Sequence, residues 1–212
     1  MPNLPKISEI FDTSHSIAEK LLNQYQYPHE ILAKIKSFIY YLGSELDSSY
    51  KEIDKNVYIA DDAVIWSGST IIGPAIIGHK AEIRPGAFIR ENVIVGNKAV
   101  IGNASEVKNS IIFDEAKLPH YNYVGDSIIG FMAHMGAGAI ASNLRLDKKE
   151  ICFGEEKIKS GLRKIGVFLG DYAEVGCGSV ICPGTVVGKR AMIYPLAIVK
   201  GIVKEGETYK SQ

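Results

Sequence analysis

This sequence lacks an excess of charge of either sign. Its 24 Lys and Arg residues equal its 24 Asp and Glu residues, so the formal net charge is zero. Broad binding to nucleic acids or to anionic membrane surfaces needs a basic excess, and we therefore expect neither kind of partner. Binding of one small anion needs only a local cluster of cations and stays compatible with this composition.

Cysteine is scarce and long apolar runs are missing. The three cysteines form an odd set that fits no closed disulfide framework, which favours reduced thiols. No cysteine pair has the spacing of zinc ligands, and we expect no metal in catalysis. No run approaches a membrane span of about 20 apolar residues, and residues 1–6 hold two prolines and no signal-like segment. We expect a cytoplasmic protein.

The first 52 residues are predicted to form an α-helical N-terminal cap. Ser16 begins a capping-box pattern, and Pro28 suits the first turn of a helix. An apolar stripe at helical spacing follows: Ile31, Leu32, Ile35, Phe38, Ile39 and Leu42. We expect this segment to cover the open end of the fold that follows, because an open end exposes unpaired strand edges. A partner-binding element is the alternative.

A six-residue apolar period begins at Ile53 and predicts that fold. Ten successive positions are Ile or Val: Ile53, Ile59, Ile65, Ile71, Ile77, Ile83, Ile89, Val95, Ile101 and Val107. Small or compact residues stand four positions after them, from Val57 to Ser105. Neither the helix period of 3.6 nor the strand period of 2 gives this pattern. A three-sided coil with one branched and one small inward residue per side does, and such coils stack about 4.8 Å apart.

The period continues with two one-residue contractions and one interruption. The inward series becomes Ile112, Leu118, Val124, Ile129, Met135 and Ala141, and then runs from Leu169 to Val199. The charged residues 144–168 between these blocks predict a loop or hairpin inserted into a coil, and such departures often carry function. The predicted domains are a cap (1–52), a β-helix (53–203) with the inserted loop 144–168, and a tail (204–212).

Over residues 53–203 this periodicity resembles the hexapeptide-repeat acyltransferases. The resemblance implies a mainly β fold, a single-stranded left-handed parallel β-helix, here with an α-helical N-terminal segment. It also implies a homotrimer whose active sites lie in clefts between neighbouring subunits.

A narrower resemblance covers residues 83–143. They are similar to the acetyltransferase half of the bifunctional bacterial enzyme that makes UDP-N-acetylglucosamine. The matching stretches are Arg84-Pro-Gly-Ala87, Glu106-Val-Lys108, Pro119-His120-Tyr-Asn-Tyr123-Val-Gly-Asp126 and Met135-Gly-Ala-Gly138 leading to Asn143, with one additional hexad between Arg84 and Lys108. The resemblance implies transfer of an acetyl group from acetyl-CoA, a co-substrate, to the amine of a glucosamine 1-phosphate-like sugar in nucleotide-sugar biosynthesis.

The same resemblance implies roles for individual residues. His120 matches the general base that deprotonates the sugar amine, and histidine exchanges protons near neutral pH. Two cations and a phenol suit a phosphate dianion. The matching substrate-binding positions are Arg84, Lys108, Tyr123, His134, Asn143 and Lys149, and the matching coenzyme-binding positions are Ala137, Cys177 and Pro195.

Two departures from the family pattern support an alternative. His134 replaces an asparagine that contacts the sugar, and Leu144 replaces a tyrosine. Both favour a non-catalytic protein or subunit that binds a sugar phosphate or nucleotide sugar. A metal enzyme like the γ-class carbonic anhydrases is less favoured. It needs three histidines around zinc, two of them closely spaced, and His79, His120 and His134 contain no such pair.

Overall fold

The computed structural model describes residues 4–154 and 157–210. Glu155 and Glu156 of the predicted inserted loop lie outside the described residues, as do residues 1–3 of the cap and 211–212 of the tail. In the part that is described, every helix is too short or too polar to cross a bilayer.

Three sheets wind into a three-sided β-helix of about eight coils. Face 1 contains, in spatial order, β1 (Tyr50–Asp54), β2 (Val57–Ala60), β5 (Ala75–Ile77), β8 (Val93–Val95), β11 (Ser110–Ile112), β14 (Ile128–Ile129), β19 (Val167–Leu169), β22 (Thr185–Val187) and β25 (Ile202–Val203). Face 2 contains β3 (Val64–Ile65), β6 (Glu82–Ile83), β9 (Val100–Asn103), β12 (Lys117–His120), β15 (His134–Met135), β20 (Glu174–Val175), β23 (Met192–Ile193) and β26 (Thr208–Tyr209). Face 3 contains β4 (Thr70–Ile71), β7 (Phe88–Ile89), β10 (Glu106–Lys108), β13 (Tyr123–Gly125), β16 (Ile140–Ala141), β21 (Val180–Ile181) and β24 (Ile198–Val199). The chain visits faces 1, 2 and 3 in turn, so the predicted parallel β-helix is confirmed.

The inward series is buried as predicted from Ile77 onward, and it forms one continuous core that reaches Val203. The prediction for Ile53 is wrong, since its side chain is 61% exposed. It belongs to β1, which pairs antiparallel with β2 and lies outside the coils. Ile65 in the first coil is still 37% exposed, because a terminal coil has a neighbour on one side only. The parallel strands thus begin at β2, and β26 extends them into the segment predicted as a tail.

The two contractions lie where face 3 leads into face 1, which we name corner 3–1. Each contains a buried serine, Ser110 or Ser127. Their hydroxyls donate to the carbonyls of Lys108 and Gly125 at 2.7 and 2.8 Å. Each hydroxyl also accepts a backbone N–H from the next coil, at 3.1 and 3.0 Å. A side chain therefore makes the bonds of the omitted residue, and the corner closes with one residue fewer.

The inserted segment forms a hairpin, as one of the two predicted forms. Its strands, β17 (Cys152–Phe153) and β18 (Ile158–Lys159), pair antiparallel, and Leu144 bridges to Lys164 at its base. Ile151 and Phe153 are buried against the outside of face 1. The hairpin therefore leaves corner 3–1 and folds back onto the β-helix.

The N-terminal segment is helical only in short pieces. They are α1 (Ile7–Ile10), α2 (Glu19–Leu22), α3 (Ile35–Gly43) and two 3₁₀ turns, Thr13–His15 and Pro28–Ile31. Pro28 opens its turn as predicted. The predicted capping box at Ser16 is absent, since α2 begins one residue after Ala18, and the Ser16 hydroxyl accepts from the Ala18 N–H at 3.2 Å.

These helices do not cover the open end, so that prediction is wrong. They pack along the outside of face 1, and α3 contacts both β5 and β8. The outward side chains of face 1 are apolar and fully buried beneath them and the hairpin: Ile76, Ile94, Ile111, Ile128, Phe168 and Val186. The sequence indicates this outward burial on face 1 by an apolar doublet once per coil, such as Ile76–Ile77 and Ile94–Val95. A doublet means that both sides of a strand are buried.

We expect Ile111→Ala to lower the free energy of unfolding by about 2–5 kcal/mol, because it leaves a cavity between face 1 and the N-terminal segment. Ile53→Ala is the matched control, since the same atoms are removed from a side chain that is 61% exposed. Urea denaturation followed by circular dichroism measures both. Equal losses in the two variants would contradict the lateral packing.

Candidate functional site

Four of the predicted site residues lie in one column. The strand register aligns Lys117 with His134 and Glu174 on face 2. Three residues further on, where face 2 leads into face 3 (corner 2–3), it aligns His120, Ala137, Cys177 and Pro195. Backbone bonds join them, from Gly138 N–H to the His120 carbonyl at 3.0 Å and from Gly178 N–H to the Ala137 carbonyl at 2.8 Å. All four column residues are exposed. The predicted base and the predicted coenzyme-binding positions therefore share one corner.

Small residues keep this corner open. Gly138 and Gly178 have φ of 70° and 67°, in the left-handed region that favours glycine. A Cβ on Gly136 would lie 2.7 Å from the Cys177 nitrogen, so the adjoining coils approach too closely for any other residue. The backbone N–H groups of Ala137 and Cys177 donate to no group in the described part of the chain. These two donors therefore line an open corner and are available to a ligand.

Asn122 holds the backbone around His120 in place. Its side chain is 2% exposed. Its Oδ1 accepts from the His120 N–H at 3.1 Å, and its Nδ2 donates to the carbonyls of Gly136 and Ala139 at 2.8 and 3.2 Å. One buried amide therefore ties the His120 coil to the coil that contains Ala137.

Tyr123 and Asn143 meet further along the same coils, at the end of face 3. A Cβ on Gly125 would lie 2.7 Å from both the Tyr123 hydroxyl and the Asn143 Nδ2, so the two groups converge over this glycine. Burial, aided by the nearby Glu106 and Asp126, raises the pKa of the Tyr123 phenol. The phenol therefore stays protonated and can donate a hydrogen bond.

Asp126 holds Asn143 in position by a hydrogen bond. Its side chain is 6% exposed. Its Oδ1 accepts from Asn109 at 2.8 Å and its Oδ2 accepts from Asn143 at 2.6 Å. The carboxylate thus fixes the orientation of Asn143, and the three residues form a ladder across three coils at corner 3–1.

The structure separates Arg84 from Lys108. Arg84 follows β6 on face 2, where it contacts Glu82 at 3.0 Å, whereas Lys108 ends β10 on face 3. The register of β7 with β10 instead places Arg90 beside Lys108. The Arg90 guanidinium bonds Glu106 at 3.0 Å, and this contact raises its pKa. The cation pair on face 3 is therefore Arg90 and Lys108.

Two further predicted residues lie apart from this group. His134 is on face 2, and its Nδ1 lies 2.9 Å from the Glu174 carboxylate. Lys149 is exposed in the inserted segment, where its N–H donates to Asp147 at 3.1 Å. The structure gives neither residue a contact with Tyr123 or Asn143 within the described chain.

The three histidines of the metal-enzyme alternative do not converge within one chain. His79 bonds Asp62 at 2.9 Å on a different corner from His120, and His134 faces Glu174. In the described residues, one group of side chains brings ligand atoms close enough for a metal, namely Asp61, Asp62 and His79. It contains neither of the other two histidines.

Sequence reasoning assigned no role to Arg90, Asn109, Asn122 or Asp126, although the last two lie in the matched stretch that contains His120. The signal for Arg90 was the additional hexad, because stacked residues are 17 or 18 positions apart and Arg84 precedes Lys108 by 24. The ladder residues had a signal in the two contractions, which contain Asn109 and Asp126.

Comparison with known proteins gives matches across this region. A family model described as the GMPPB C-terminal domain matches residues 71–158. The chain is 42% identical over 161 residues to a bifunctional sugar-1-phosphate nucleotidylyltransferase/acetyltransferase from Sulfurisphaera tokodaii, covering 75% of this chain and 40% of that protein. It is 35% identical over 193 residues to the bifunctional protein GlmU from Methanococcus maripaludis, covering 89% of this chain and 47% of that protein. It therefore spans less than half the length of these two relatives.

A shorter relative and a solved structure also match. An uncharacterized acetyltransferase from Escherichia coli, YaiX, is 31% identical over 173 residues, covering 72% of this chain and 74% of that protein. The acetyltransferase domain of PglB from Neisseria gonorrhoeae aligns with a TM-score of 0.40 and 17% identity, covering 82% of this chain and 63% of that one.

We expect Asn143→Leu to lower the free energy of unfolding by about 1–3 kcal/mol, because it leaves the buried Asp126 carboxylate without one of its two amide donors. Asn103→Leu is the control, since Asn103 donates to the exposed Pro85 carbonyl, which water can satisfy. Denaturant titration compares them. A control that loses as much as Asn143→Leu would show that the ladder has no special role.

Proposed function

This chain belongs to the hexapeptide-repeat (left-handed β-helix) acyltransferases, and we propose that it moves an acetyl group from acetyl-CoA to the amine of a phosphorylated amino sugar. One observation carries the proposal: the column of His120, Ala137, Cys177 and Pro195 at corner 2–3. It leads directly onto face 3, where Tyr123 and the Arg90–Lys108 pair lie.

His120 is the proposed general base. As the amine nitrogen attacks the thioester carbonyl carbon, the imidazole takes the amine proton. The tetrahedral oxyanion then collapses, the carbon–sulfur bond breaks, and the proton passes to the departing thiolate of coenzyme A. The N–H groups of Ala137 and Cys177, which bond no group among the described residues, are the proposed donors for the developing oxyanion or for the coenzyme arm.

Face 3 is the proposed acceptor site. Arg90 and Lys108 supply two adjacent cations for the sugar phosphate, and the protonated Tyr123 phenol supplies a donor. Asn143, held by Asp126, adds an amide that faces the same place. The amine end of the sugar then points toward corner 2–3 and its phosphate toward corner 3–1. Arg84, His134 and Lys149 keep a role here only if a neighbouring subunit brings them to the site.

The proposed assembly is a homotrimer with clefts between subunits, as in the family. An exposed apolar row on face 3 supports contact with a second copy of this chain. Its members are in register and are 39%, 38% and 62% exposed, namely Ile140, Val180 and Ile198. The proposed location is the cytoplasm, which suits three cysteines that are all unpaired.

His120→Ala is expected to lower kcat by about 10²–10⁴-fold, because the reaction loses its proton acceptor. Thiol release from acetyl-CoA in the presence of glucosamine 1-phosphate measures the rate. His79→Ala is the matched control and is expected to keep the full rate, since His79 lies on another corner. If the unaltered protein releases no more thiol with glucosamine 1-phosphate than without it, the alternative of a non-catalytic binding protein is favoured.

Arg90→Ala is expected to raise the KM for the sugar phosphate by about 10–100-fold, because a charge-assisted phosphate contact contributes about 1.5–3 kcal/mol. Arg84→Ala is the matched control. It should raise the KM for the sugar phosphate less than Arg90→Ala does, since Arg84 lies on face 2 beside Glu82. Steady-state kinetics with varied acceptor separates the two. A larger KM effect for Arg84→Ala would mean that the phosphate is held on face 2.

A further inference from the structure

A cavity of about 430 Å³ lies at corner 3–1, next to the proposed acceptor site. Its volume falls within the usual range of small-molecule sites, about 300–1,000 Å³. Three irregularities of the chain border it: the N-terminal segment, the two contracted corners and the inserted hairpin. Its lining residues are Leu32, Ala33, Asn109, Asp126, Leu144, Leu162, Arg163 and Lys164. Departures from a regular scaffold mark functional positions, and here three of them meet at one cavity.

The cavity adjoins the face 3 group through shared residues. Asn109 directly follows Lys108 in the chain, and Asp126 bonds Asn143, which meets Tyr123. Along one coil the order is therefore His120 at corner 2–3, Tyr123 on face 3 and the cavity at corner 3–1. A substrate whose amine lies at His120 and whose phosphate lies at Lys108 would extend into the cavity beyond that phosphate.

The lining has the chemistry of a nucleotide site. Arg163 and Lys164 are exposed cations that pair with no carboxylate of the described residues, and the Arg163 Nε bonds only the Lys148 carbonyl at 3.0 Å. Adjacent cations suit a diphosphate. Leu32, Leu144 and Leu162 give an apolar wall for a base. Asp126 is the one carboxylate among the described lining residues, and it accepts hydrogen bonds from two amides, so it belongs to the fixed frame of the cavity.

We propose that this cavity holds the nucleotide part of the acceptor, so that the acetylated substrate is an amino sugar linked to a nucleoside diphosphate. The inference rests on the proposed acetyl transfer and names its substrate class. It also accounts for Leu144, because a leucine in place of a tyrosine removes a hydroxyl and leaves this part of the cavity wall purely apolar.

The kinetic test compares UDP-glucosamine with glucosamine 1-phosphate as acceptors. The unaltered protein should show at least tenfold higher kcat/KM with UDP-glucosamine. A double variant, Arg163→Ala with Lys164→Ala, should raise the KM for UDP-glucosamine about tenfold or more and leave that for glucosamine 1-phosphate within twofold. Lys159→Ala, an exposed cation of the same hairpin outside the cavity, is the control and should change neither. Equal effects on both acceptors, or none, would overturn the proposal.

A binding test separates this proposal from the proposed activity. Calorimetric titration with UDP should show binding to the unaltered protein that the double variant weakens about tenfold or more, with both proteins checked for folding by circular dichroism. Absence of UDP binding would overturn the proposal, and so would inorganic pyrophosphate binding as tightly as UDP. Absence of thiol release with either acceptor would overturn the acetyl transfer alone, since the UDP titration still reports on the cavity.

Discussion

The stacking of inward aliphatic side chains at every sixth residue is the constraint on which the rest of this structure depends. It commits one branched residue per side to the core, and the strands of successive coils then align residues that are 17 or 18 positions apart. Side chains that carry chemistry are left with two places, the outside of a face and the corners. His120 takes a corner, and Arg90, Lys108 and Tyr123 take an outer face. The core therefore decides which distant residues become neighbours.

The fold could be predicted because its signal is short-range and repeated. Each hexad contains the same pattern of one branched and one small inward residue. One exception, such as the exposed Ile53, therefore does not change the predicted fold. The placement of the N-terminal helices could not be predicted in the same way. Their apolar stripe shows only that they must be covered, and the choice between the open end and face 1 is made by the first, outward-facing residue of each apolar doublet, such as Ile76 or Ile94.

The positions of the site residues could be predicted where the spacing between them follows the 17- or 18-residue coil period, and not where the spacing departs from it. His120, Ala137, Cys177 and Pro195 were each expected from resemblance, and the register places them in one column. Arg84 was expected beside Lys108, but one added hexad moves it to another face and brings Arg90 into its place. Asp126 and Asn122 lie in the matched stretch, yet their role could not be predicted from it, because that role lies in bonds to groups from other coils.

The lateral position of the N-terminal segment has a mechanical consequence. In a solenoid each repeat touches only its neighbours, so end coils can unravel one at a time. Here the Ile10 carbonyl accepts from the Asp171 N–H at 3.2 Å and the His15 carbonyl accepts from the Asp114 N–H at 3.1 Å, while α3 packs on β5 and β8. The N-terminal segment thus contacts both early and late coils of the β-helix. Because this segment contacts distant coils, unfolding of one end of the β-helix also removes contacts from the other coils, and unfolding becomes more cooperative.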